Sequence, residues 1–176
     1  MEIVIIGIVV LIVMIAMYNS FVSKFKVVEK SKSTIDVYLT QRFNLIPNLV
    51  EVVKGYSNYE KETLEKLIKI RESYNAEDND IQKEANLNNQ FNTLIARVES
   101  YPELKANENY LELQKQLVKM ESQIQAARRI YNMDVEAYNV TICKFPNSVL
   151  AGIFGFKEAK FFEATASEQE VIDVNI

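Results

Sequence analysis

Residues 3–23 contain no charged side chain, and residues 3–17 are almost entirely Ile, Val, Leu, Met and Ala. At 1.5 Å rise per residue a helix of that length reaches roughly 31 Å, the thickness of a bilayer's hydrocarbon core. The run reads as one uncleaved transmembrane helix; the competing reading is a helix buried inside a soluble protein. A cleavable signal peptide carries a basic n-region and a small-residue cleavage site. Here Glu2 is the only charge ahead of the run, and Ala16-Met17-Tyr18-Asn19-Ser20 makes a poor cleavage site. The single cysteine is Cys143, so no lipid-acceptor thiol follows the run.

Lys and Arg close to a span are retained on the cytoplasmic side. Lys24, Lys26, Lys30 and Lys32 follow this span and nothing basic precedes it. The expected orientation is N-terminus out, with the bulk of the chain in the cytoplasm. Tyr18 and Phe21 then belong at the inner membrane interface, where amphipathic rings are favoured. The four lysines either contact anionic headgroups or only set the topology.

Composition removes most catalytic chemistry. Among 176 residues there is no histidine, so His-dependent acid–base catalysis, Ser-His-Asp and Cys-His nucleophiles and most zinc sites have no residue to use. One cysteine forms neither an intramolecular disulfide nor a multi-cysteine metal site. A net charge of −4 argues against a general nucleic-acid binder. Only four glycines and three prolines are present, against turn-rich sheet architectures. The expected class is all-α, with no catalytic, cofactor-binding or metal residues.

Helical periodicity continues beyond the span. Val28, Ser31, Ile35 and Tyr38 recur at steps of three and four, placing a helix over residues 24–43 that is either separate from the anchor or continuous with it. Pro47 disfavours helical geometry at Ile46, which puts a turn or kink at residues 44–46. A second helix over residues 47–74 presents Leu49, Val52, Val53, Tyr56, Thr63, Leu64, Leu67 and Ile70. Residues 75–80 read as a loop, and a third helix to about residue 101 presents Ile81, Ala85, Asn88, Phe91, Ile95, Val98 and Tyr101. The strongest pattern lies in residues 107–144, about 57 Å of helix. Tyr110, Leu113, Leu117, Met120, Ile124, Ala127 and Tyr131 alternate steps of three and four, and the seam shifts before resuming at Val135, Tyr138 and Ile142. Pro146 ends it.

These stretches give an organisation of anchor (1–23), antiparallel bundle of four long cytoplasmic helices (24–146), apolar aromatic-rich segment (147–162) and acidic mobile tail (163–176). Local patterns also resemble the LemA family. They are Tyr18-Asn19 with Val22; Asp36-Val37 with Gln41-Arg42-Phe43-Asn44-Leu45-Ile46-Pro47-Asn48-Leu49-Val50; and Val53-Lys54-Gly55-Tyr56 with Glu60. Residues 96–107, Glu121 with residues 127–132, then Val135, Tyr138-Asn139 and Phe145-Pro146 continue the match in order. The resemblance implies one N-terminal span and a helical bundle at the bacterial inner membrane. Some members of the family are associated with internal membrane vesicles in magnetic bacteria, and no enzymatic activity is established for the family as a whole.

Polar groups on or beside the apolar stripes are Arg42, Glu60, Arg71, Glu121, Arg128, Asn132 and Asn139. They form either a polar cleft or, the favoured reading, a structural network fixing helix register. Glu60 and Glu121 lack the histidines that a ferritin-like dimetal site needs. Val149, Leu150, Ile153, Phe154, Phe156, Phe161 and Phe162 form a candidate partner or lipid contact, with Lys157 and Lys160 at headgroups, or else pack back over the bundle core.

The expected function is a non-catalytic, membrane-anchored scaffold that organises partners or lipid. Its partners are the membrane, a second copy or other membrane proteins, with no nucleic acid and no small-molecule substrate. The alternative is a transmembrane sensory or signalling module with the bundle as relay or exported domain. Only Met1 and Glu2 project outward in the first orientation, which leaves no ligand domain there.

Overall fold

The computed structural model describes residues 1–54, 61–74, 81–98 and 106–162. Among these residues there are helices and no strand. The helices are α1 (Glu2–Phe43), α2 (Ile46–Lys54), α3 (Lys61–Ser73), α4 (Ile81–Val98), α5 (Glu108–Cys143) and α6 (Asn147–Phe154). The expected count of four bundle helices is not reproduced among the described residues, for two reasons. The helix expected over residues 24–43 is continuous with the apolar run in the 42-residue α1, and α6 is a helix of its own.

Pro47 acts more gently than a helix break. The turn occupies only Asn44 and Leu45, and the Asn44 and Leu45 amides still donate to the Thr40 and Arg42 carbonyls at 3.0 and 3.1 Å. Pro47 sits in the first turn of α2, where a missing N–H costs no helical hydrogen bond. Asn107 caps α5, its Oδ1 accepting the Tyr110 amide at 3.0 Å.

The chain divides into two compact units. The first comprises Met1–Ile35 and Ala126–Phe161. Its buried residues include Phe21, Val28 and Ile35 from α1 and Tyr131, Val135, Tyr138 and Ile142 from α5. Ser31 takes a buried place in the α1 stripe because its hydroxyl donates to the Val28 carbonyl at 3.0 Å. The second unit comprises Asp36–Gln125 and Phe162–Ile176. In it α2 packs on α3 and α3 on α4, and Phe43 meets the Phe91 ring edge-on at 5.8 Å. Leu49, Val53, Leu67, Ile70, Ala85, Asn88, Phe91, Val98, Tyr110, Leu113, Leu117 and Ile124 are buried there as the periodicity requires. Val52, Leu64, Ile95 and Met120 are only partly buried, and Tyr38 likewise, with Leu39 fully buried beside it. Gly55, Tyr56, Glu60, Tyr101 and the 163–176 tail lie outside the described residues, as do the side chains of Thr63 and Ile81.

α1 alone among the described helices is long and apolar enough to cross a membrane, and none of its most apolar window is buried inside the protein. A soluble-core helix would be covered, because apolar area left in water costs about 25 cal/mol per Å².

Candidate functional site

Two constructed regions stand out, one in each unit. In the second unit, Arg42 lies at the end of α1, 3% exposed. Its Nη1 donates to the Asn88 Oδ1 and the Glu121 Oε2, and its Nη2 donates to the Asn92 Oδ1. The guanidinium carbon stands 4.7 Å from the centre of the Phe91 ring. A buried guanidinium loses hydration and needs a carboxylate, planar acceptors and an aromatic face in return. α4 supplies Asn88, Phe91 and Asn92 at steps of three and one, and α5 supplies Glu121. The arrangement ties three helices together and leaves the charge facing protein.

Beside it, the Tyr74 hydroxyl donates to the Asp36 carbonyl at 3.0 Å, and its oxygen is 3.3 Å from the Thr40 Oγ1. Burial pushes the Tyr74 phenol up to about 12; the Thr40 hydroxyl opposes this, while the charges of Asp36 and Glu84 add to it. A cavity of about 490 Å³ lies between α3 and α4, bordered by Lys66, Lys69, Ile70, Ser73, Leu87, Gln90, Thr93 and Leu94.

In the first unit, the chain after α5 turns back on itself. The Gly155 backbone is left-handed, with φ 75°, and the Phe156 and Gly155 amides donate to the Ala151 and Gly152 carbonyls. This Schellman closure of α6 redirects the chain. It brings Phe156 against Tyr18 and Phe21, with ring centres at 5.8 and 5.4 Å, and Phe154 edge-on to Tyr18 at 5.1 Å. Phe25 and Tyr138 meet one step further along at 5.6 Å. The following residues run back along α5, where side chains satisfy their backbone. Tyr138 and Tyr131 donate to the Lys157 and Lys160 carbonyls at 3.0 and 2.9 Å. Asn139 grips Ala159 through both its carbonyl and its amide, at 2.9 and 2.8 Å. Burial raises the Tyr138 phenol, and the Glu158 carboxylate, which accepts from the Cys143 thiol at 3.0 Å, raises that thiol.

The expected polar set therefore separates. Arg42 and Glu121 form one cluster, whereas Asn139 serves the returning segment. Arg128 and Asn132 are partly buried on the same stretch of α5. Arg71 is exposed on α3, one turn beyond the buried Leu67, and does not join a buried network. Among the interface residues, Tyr18 is partly exposed but Phe21 is fully buried beneath Phe156, while Lys24 and Lys32 are partly buried and Lys26 and Lys30 exposed. Lys26 pairs with Glu29 at 2.6 Å. In the apolar segment Ala151 and Phe162 are buried, Leu150 and Phe156 partly so, and Val149, Ile153, Phe154 and Phe161 are exposed. Asn88, Asn92 and Phe91 were not foreseen as Arg42 partners; an asparagine within the α4 apolar stripe was the available signal. Among the described residues no group of three or more Cys, Asp or Glu is placed to hold a metal ion.

An N-terminal helix left uncovered by the protein and an exposed apolar α6, with only helices among the described residues, place the chain in the class of membrane-associated helical proteins. The chain belongs to the LemA family, whose pattern matches residues 31–176. It is 26% identical to the magnetosome protein MamQ of Magnetospirillum gryphiswaldense, over 90% of this chain and 70% of that protein. It is 28% identical to MamQ 2 of Paramagnetospirillum magneticum, over 83% of this chain and 64% of that protein. Protein LemA of Metamycoplasma hominis is also 28% identical, over 84% of this chain and 68% of its own length. The chain thus spans about two thirds of the length of these relatives.

Proposed function

We propose that the protein is a non-catalytic scaffold, held in a bacterial inner membrane by α1 with its bundle on the cytoplasmic side, that presents helical surfaces to lipid, to a second copy or to other membrane proteins. The observation behind this reading is the packing of Phe154 and Phe156 onto Tyr18 and Phe21. A tethered enzyme domain needs only a flexible linker after its span. Here α1 runs without interruption from the apolar stretch into core-forming residues such as Val28 and Ile35, and the chain returns to brace its membrane end. That construction supports a bundle held rigidly at the bilayer, which serves display and assembly. The magnetosome naming of the MamQ relatives and the LemA relative in a mycoplasma support a role in which the anchored bundle is the common element.

Sidedness tests it first. Ser122 is exposed on α5. In a Cys143→Ser background, Ser122→Cys is expected to react with a membrane-impermeant maleimide only after the inner membrane is permeabilised. Labelling in intact cells sinks the cytoplasmic scaffold and favours an exported sensory domain.

A further inference from the structure

α6 is the most apolar helix of the described chain, yet only Ala151 of its eight residues is buried. Ser148, Val149, Gly152 and Ile153 share its outward face, with Val149 55% and Ile153 68% exposed. No charge occurs between Lys144 and Lys157, so the whole stretch lacks the solvated groups of a water-facing helix. Phe145 before it and Phe161 after it are exposed as well.

Its position along α1 is fixed by the rings. Phe154 packs on Tyr18, near the end of the uncharged run that closes at residue 23. A helix held at that level meets the boundary between acyl chains and headgroups. We propose that α6 is an interfacial helix, lying in the leaflet where α1 leaves the bilayer, with Val149 and Ile153 among the acyl chains and Lys144 and Lys157 at anionic headgroups. This deepens the proposed function and rests on its premise that α1 spans a bilayer. Lipid is the occupant because the face continues the surface that the span already presents to lipid, and the flanking lysines match anionic headgroups.

The test uses the full chain in vesicles of phosphatidylcholine and phosphatidylglycerol, in a Cys143→Ser background. An environment-sensitive fluorophore is placed at Ile153→Cys, at Val9→Cys in the span, or at Glu136→Cys, an exposed site on α5. Lipids carrying a nitroxide near the headgroup are expected to quench the Ile153→Cys probe about two-fold, at the 5–10 Å depth of an interfacial helix. Aqueous iodide is expected to spare it and to quench Glu136→Cys. Deep-chain nitroxides are expected to quench Val9→Cys. Iodide quenching at Ile153→Cys without nitroxide quenching overturns the inference while the anchor stands. Protection from both quenchers also overturns it, assigning the face to protein. Failure of Val9→Cys to respond to deep nitroxides overturns the anchor and this inference together.

Discussion

Arg42 reaches across 79 residues of sequence to donate to Glu121, and Asn88 and Asn92 accept from the same guanidinium. A charge buried in this way is tolerable only while its partners are present. The cluster therefore selects one mutual register of α1, α4 and α5, since a shift of any of them leaves the guanidinium without acceptors.

Removing Glu121 strands that charge. Glu121→Ala is expected to lower stability by roughly 2–3 kcal/mol, at the low end for a broken buried pair because both asparagines remain and the carboxylate is partly exposed. Replacing both residues in Arg42→Met/Glu121→Met is expected to cost less than the sum of the single changes. Thermal unfolding of the detergent-solubilised protein, followed by helical circular dichroism, measures the cycle; additive losses contradict the cluster.

Asn139 holds the returning segment through two hydrogen bonds to Ala159. Asn139→Ala is expected to cost about 1–2 kcal/mol. Amide exchange should accelerate most at Ala159, whose N–H loses its acceptor. Unchanged protection there would show that the tyrosine contacts to Lys157 and Lys160 suffice.

Gly155 and Gly152 make opposite predictions from the same helix. A Cβ meets nothing within 4 Å at either position, but Gly155 has φ 75°. Gly155→Ala is expected to destabilise by about 1 kcal/mol through left-handed strain alone. Gly152→Ala, inside α6, is expected to be neutral or to stabilise by up to about 1 kcal/mol. Melting temperatures of the two variants decide it.

Tyr74 gives the fold an alkaline limit. Its phenol ionises near 10 in an unfolded chain and is pushed up to about 12 here, so the folded state holds the proton more tightly. The associated stability is complete below pH 10 and is lost as pH rises from there through about 12. Partial exposure limits the loss to roughly 1 kcal/mol. Denaturant titrations across that range are expected to show a decline that Tyr74→Phe reduces.

Periodicity located the core because burial repeats with the helix itself: the α5 stripe from Tyr110 to Ile142 is buried as its spacing requires, apart from Met120. Periodicity does not reveal what covers Phe21: Phe156, 135 positions later, packs against its ring. It also grouped Arg42, Glu121 and Asn139 together, although Asn139 serves a different stretch of backbone. Arg71 failed for a simpler reason, being polar and near a stripe without being buried.

Apolar length, charge placement and the absence of histidine are properties of composition and spacing. By themselves they determined the all-helical class, the one long apolar helix and the family resemblance. Which acceptor answers Arg42, which ring covers Phe21 and which face of α6 is left bare depend on contacts between residues far apart in the chain. Only the tertiary structure decided these, because desolvation and hydrogen bonding act on proximity in space, which spacing along one helix does not encode.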